Sequence, residues 1–144
     1  MASLRKMKVF DQFIKLSAEE KKLFLEALFF LYCSKVILLV LPFNSCLKLL
    51  KPANKMSTQE EKDFLIKIKI AVGRANRLAF WKNICLVKSF AARLMLQRRE
   101  IGSEMFLGLQ FKNEKELIAH AWLISGEIEI TPRITSKFKE IYKI

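Results

Sequence analysis

The sequence predicts an α+β fold, with hydrophobic helices leading into a further helix packed on a small antiparallel sheet. Two observations carry that prediction. Up to Gly102, apolar residues recur at helical spacings behind two capping patterns, whereas from Glu104 to Thr131 the pattern shortens to strand-length runs separated by turn signals. Composition agrees: four Gly and three Pro leave little material for a loop-dominated architecture, and no segment repeats at a solenoid period. The 144 residues suit one globular domain, or a helical extension plus a small core. A net charge of +12 suggests a cationic face, but 52% hydrophobic residues and twelve Phe exclude a disordered basic tail.

Taken in order, Ser17-Ala-Glu-Glu20 is a capping box that opens a first helix, and Pro42 stops it near Leu41. Residues 44 to 57 contain Lys51, Pro52, Asn54 and Ser57 and read as the longest connection, which divides the chain into a helical part, 1–56, and a compact part, 57–144. Ser57-Thr-Gln-Glu60 repeats the capping signal before a second helix whose stripe of Phe64, Leu65, Ile68, Ala71, Val72, Ala75 and Leu78 ends near Phe80. A third helix begins around Ile84, with Phe90 and Met95 on its apolar side and Lys88, Arg93, Arg98 and Arg99 off it. It ends at Gly102 as a C′-type glycine. Strands are then expected at Glu104–Gln110, Ile118–Ile124 and Glu127–Thr131, the last two joined by a Ser125-Gly126 turn.

Phe24 to Phe43 is long enough to approach bilayer thickness, but Glu26 and Lys35 lie inside it. Each costs about 2.5–3.5 kcal/mol near a bilayer centre, so a buried or partner-packed helix is expected and membrane contact is not. Three cysteines without a recognisable cleavable signal point to a reduced, cytoplasmic protein. One His and no CxxC leave a zinc site without ligands at usable spacing, and neither a metal nor a cofactor is expected.

Two residues stand out chemically. Cys85 falls at the expected start of the third helix, where unpaired N–H groups and the helix dipole favour a thiolate, while Cys33 and Cys46 lie in or beside the apolar N-terminal region. His120, the single histidine, opens a strand between small residues in Ala119-His-Ala-Trp122. A helix-start Cys followed by a strand-start His can form a couple in which the imidazole takes the thiol proton and later protonates a leaving amine.

These residues also carry a likeness. FWKNICLVKSFAARLMLQRREIG, then LGLQ, then AHAWLISGEIEIT, covering Phe80 to Thr131, resembles the transglutaminase-like cysteine proteases that act as leader peptidases in lasso-peptide biosynthesis. The resemblance implies a papain/transglutaminase-like core, Cys85 as nucleophile and His120 as general base and acid. It also implies an aspartate on the following strand to orient the imidazole. Here the sequence departs from the pattern, since Asp11 and Asp63 both precede Cys85. With the expected turn, Ile124 faces Glu127, Trp122 faces Glu129 and His120 faces Thr131. Glu129 is then the first substitute to consider, ahead of Glu127, a backbone carbonyl or an unassisted dyad. The backbone N–H of Cys85 suits an oxyanion hole, Asn83 could add a donor, and Trp81 and Trp122 could wall a peptide cleft.

Ten Lys/Arg against one acid between Lys62 and Arg99 predict a positive surface near the nucleophile, able to attract an acidic peptide. No nucleic-acid-binding motif accompanies that charge, and nucleic acid is not expected as a partner. The resemblance implies a precursor leader peptide as substrate, a separate small leader-recognition protein and a lasso cyclase as partners. Any exposed part of Phe24–Phe43 would be a docking surface. Acyl transfer on the same scaffold and a non-enzymatic, membrane-associated scaffold protein are the competing expectations.

Overall fold

The computed structural model describes residues 2–51, 61–79, 81, 85–133 and 138–144. They form α1 (Ala2–Ile14), α2 (Ala18–Val40), α3 (Phe43–Lys48), α4 (Lys62–Leu78), α5 (Cys85–Arg98) and strands β1 (Glu104–Lys112), β2 (Glu116–Ser125), β3 (Ile128–Thr131) and β4 (Lys139–Lys143). The fold is α+β, as the two periodicities predict. The expected boundary at 56/57, the Ser57 cap and Phe80 lie outside the described residues.

Local chemistry explains the helix ends. Ser17 Oγ accepts from the Glu20 N–H at 3.3 Å while Glu20 Oε2 accepts from the Ser17 N–H at 3.0 Å, the reciprocal capping box. At the other end Leu41 turns extended ahead of Pro42, and the Cys46 thiol of α3 donates to the Ile37 and Leu41 carbonyls at 3.5 and 3.7 Å. Helix α5 ends earlier than expected. Glu100, not Gly102, takes the left-handed position with φ 58°, as Glu100 N–H bonds Gln97 O and Ile101 N–H bonds Leu96 O. Those two bonds make a Schellman motif, and the buried Ile101 and Leu96 supply its apolar contact.

The sheet is antiparallel in the order β3-β2-β1-β4, with β4 unanticipated from the sequence. One face carries Met105, Leu123 and Ile130 into a single core with α2, α4 and α5; the other carries Phe106, Trp122 and Phe138 as a second cluster. Within that core α5 is enclosed on most of its circumference, its buried residues including Val87, Phe90, Ala92, Arg93 and Met95. Arg93, expected off the apolar side, is 1% exposed. Its guanidinium donates to the carbonyls of Ser103, of Ile144 at 3.1 Å and of Lys51 at 3.0 Å, and burial holds it below the ordinary arginine range. Three chain segments are thereby fastened to the central helix.

The β2–β3 register corrects the expected one. The turn is Gly126-Glu127, so Ser125 pairs with Ile128 and Ile124 with Glu129, and an irregularity then sets Leu123 against Thr131. That bulge interrupts the ladder, and side chains replace the lost bonds. Leu123 N–H donates to Thr131 Oγ1 at 2.8 Å, and Ser89 Oγ donates to Ala121 O at 3.2 Å. The 2.7 Å contact between the two hydroxyls then has Thr131 donating to Ser89, which satisfies every member.

Candidate functional site

Helix α5 runs along β2, and the Ser89–Ala121 hydrogen bond fixes where the two elements meet. Cys85 lies one helical turn before Ser89, at the half-buried first residue of α5, and His120 immediately precedes Ala121. The nucleophile candidate and the base candidate therefore sit on adjoining elements. Among the described residues no hydrogen bond joins them, and strand alternation sends the His120 side chain to the face away from α5, with Trp122.

On that face His120 is 8% exposed. Its ring stacks on Trp122 at 6.0 Å and lies 5.0 Å from the Phe138 ring. Trp122 is sandwiched in turn, with Phe106 stacked at 5.5 Å and the Arg133 guanidinium 5.0 Å from its ring. Gly108, directly opposite His120 in the ladder, makes room for this stack: a Cβ there would stand 2.7 Å from Trp122 Cζ3.

His120 Nε2 lies 2.8 Å from the carbonyl oxygen of Pro132. A carbonyl only accepts, so Nε2 carries the proton and donates. In the neutral ring Nδ1 is then the basic nitrogen. Thr131 does not face His120, as the expected register required; it faces Leu123 and belongs to the Ser89 network. Glu129 is exposed opposite Ile124, not Trp122, and Glu127 is exposed in an ion pair with Lys62 at 3.0 Å. Neither carboxylate bonds His120, and the residue sequence reasoning missed is Pro132.

Asn83 lies outside the described residues. Trp81 stands edge-on to Tyr32 at 4.9 Å, with Lys35 Nζ 6.0 Å from its ring, and so contacts α2. Lys88, three residues after Cys85 on α5, has its pKa lowered by burial, an effect that Cys85 opposes and Lys69 adds to. Elsewhere much of the basic run is engaged: Lys67 bonds Glu19 at 2.9 Å, Arg74 meets Glu20 at 3.8 Å and Arg99 grips Glu26 at 2.5 and 2.6 Å. Among the described residues no three His, Cys, Asp or Glu side chains gather where a metal ion could be held.

No curated protein and no solved structure matches the chain. The family model described as "Transglutaminase-like superfamily" matches residues 30–143, which include α5 with Cys85, β2 with His120 and the C-terminal half of α2. A helix led by a cysteine, lying along an antiparallel strand that bears the sole histidine, is the arrangement that accompanies this match, and the chain belongs to the transglutaminase-like superfamily.

Proposed function

We propose that this protein is a cysteine peptidase that removes the leader from a ribosomally made lasso-peptide precursor, delivered by a separate small recognition protein. The observation that carries the reading is the family membership over 30–143 together with a cysteine at the start of α5 and a histidine on the adjoining β2. The Cys-Leu and His-Ala-Trp pieces within the likeness to lasso leader peptidases supply the narrower substrate.

In the proposed reaction His120 Nδ1 takes the Cys85 proton and the thiolate attacks the scissile carbonyl. The proton then passes to the departing amine, leaving the leader's acyl group as a thioester on Cys85. Water, deprotonated by the same nitrogen, hydrolyses the thioester, releasing the leader acid and restoring the thiol. The Cys85 N–H, at the N-terminal end of α5, is offered to the oxyanion. The Pro132 carbonyl holds Nε2–H and leaves Nδ1 for the proton. Among the described residues the pairing of β3 with β2 stops at Leu123–Thr131, short of His120. Because the His120 ring lies on the sheet face away from α5, the reaction requires the imidazole and the thiol to be brought together round this edge of β2.

Incubation of a candidate precursor and its recognition protein with wild type, Cys85→Ala and His120→Ala, read by mass spectrometry, tests the reading. Wild type should release the leader with the addition of one water. Cys85→Ala should release none, and His120→Ala should be slower by about 10²-fold or more. Equal cleavage by all three would end the proposal, and a crosslinked product without added water would assign acyl transfer instead.

A further inference from the structure

The N-terminal helices present apolar faces outward. On α2, Leu25, Phe29, Tyr32, Val36 and Leu39 recur every three or four residues and are exposed, Phe29 to 63% and Leu39 to 72%. The opposite face of α2, with Leu23, Phe24, Ala27 and Leu31, is already buried in the core. On α1, Leu4, Met7, Phe10 and Ile14 form a second exposed stripe, while Phe13 turns inward to lie 5.1 Å from the Phe24 ring. A soluble surface helix has the reverse polarity, and monomers seldom leave contiguous apolar surface bare.

Charge indicates what covers these faces. Residues 1–51 hold nine Lys/Arg and four Asp/Glu. Three of those acids, Glu19, Glu20 and Glu26, are already paired with Lys67, Arg74 and Arg99. The fourth, Asp11, shares the outer side of α1. Lys6 and Lys8 flank the α1 stripe about 100° to either side, the spacing at which lysines reach past an apolar face toward headgroups. Lys35 borders the α2 stripe on one side, half-buried with its ammonium 6.0 Å from the Trp81 ring.

We infer that α1 and α2 bind the surface of a membrane containing anionic lipids, with α2 lying in the interface. Its most apolar window has a mean hydropathy of 2.2, enough in composition to cross a bilayer. The bidentate Glu26–Arg99 pair and the buried inner face hold it to the protein instead. A bare helix face is convex and suits a deformable surface with cations at its edges, the arrangement of interfacial helices. The inference does not rest on the peptidase reading.

Flotation of the full chain with vesicles of phosphatidylcholine alone, or with about 30% phosphatidylglycerol, tests it at about 0.05 and about 0.5 M salt. Binding should require the anionic lipid and fall steeply at the higher salt. Phe29→Glu with Val36→Glu, at exposed positions, should weaken it at least ~10-fold while the far-UV spectrum stays unchanged, and Lys6→Glu with Lys8→Glu should do the same through charge alone. Three results would overturn the inference: no binding to anionic vesicles, binding indifferent to both double variants, or a soluble dimer that Phe29→Glu with Val36→Glu dissociates.

Discussion

His120 donates to a neutral carbonyl where the resemblance implied a carboxylate, and this decides which substitutions matter. Glu129→Gln and Glu127→Gln should each leave turnover within about twofold, since neither side chain touches the imidazole; a loss beyond about tenfold for Glu129→Gln would restore an acid to the site. Gly108→Ala should be costly although its backbone is unstrained. The added methyl meets the buried Trp122 ring at 2.7 Å, and displacing a ring that is 1% exposed should lower stability by about 1–3 kcal/mol, measurable by urea unfolding. Cys85 and His120 could be proposed from the sequence because side-chain chemistry is written in residue type and position. Pro132 was not, because its contribution is a carbonyl that every residue possesses, brought to Nε2 by a bulge the turn signal did not reveal.

Among the elements, helix α2 was legible to within a residue at both ends, because a capping box and a proline are local signals. Helix α5 was misread where long-range packing rules. Its buried circumference left no single stripe to find, and its terminator is Glu100, a residue that pays a left-handed penalty. Glu100→Gly should therefore stabilise the protein by about 1 kcal/mol. The capping box gives a pH dependence of known sign. The Ser17 backbone N–H holds the Glu20 carboxyl below its ordinary value, helped by the Ser17 hydroxyl, Arg74 and Lys67 and opposed by desolvation. A depressed carboxyl stabilises above its unfolded pKa and loses that contribution as pH falls through the folded value. Wild type should accordingly lose more Tm than Glu20→Gln on acidification from about pH 6 to about pH 3. Strand β4 escaped notice because all five of its residues are exposed, so no alternation marks Lys139–Lys143.

For the whole molecule, the basic run from Lys62 to Arg99 is as much a fastening as a field. Its partners lie far away in sequence, Glu19 at 48 residues from Lys67 and Glu26 at 73 from Arg99, which is why the run read as a solvated cationic face. Arg93 ties residues 51, 103 and 144 to the central helix. Arg93→Leu strands three carbonyls in or near the core and should cost about 3 kcal/mol or more in chemical denaturation. The claim on which the mechanism depends is that Cys85 and His120 come together as partners round the edge of β2, from opposite faces of the sheet. Iodoacetamide labelling of the folded protein at about pH 6, with each cysteine followed by peptide mass spectrometry, tests it most directly. Cys85 should be alkylated well ahead of Cys33, Cys46 and an exposed model thiol, and the advantage should vanish in His120→Ala. A Cys85 no faster than the model thiol, or equally fast without His120, would contradict the account.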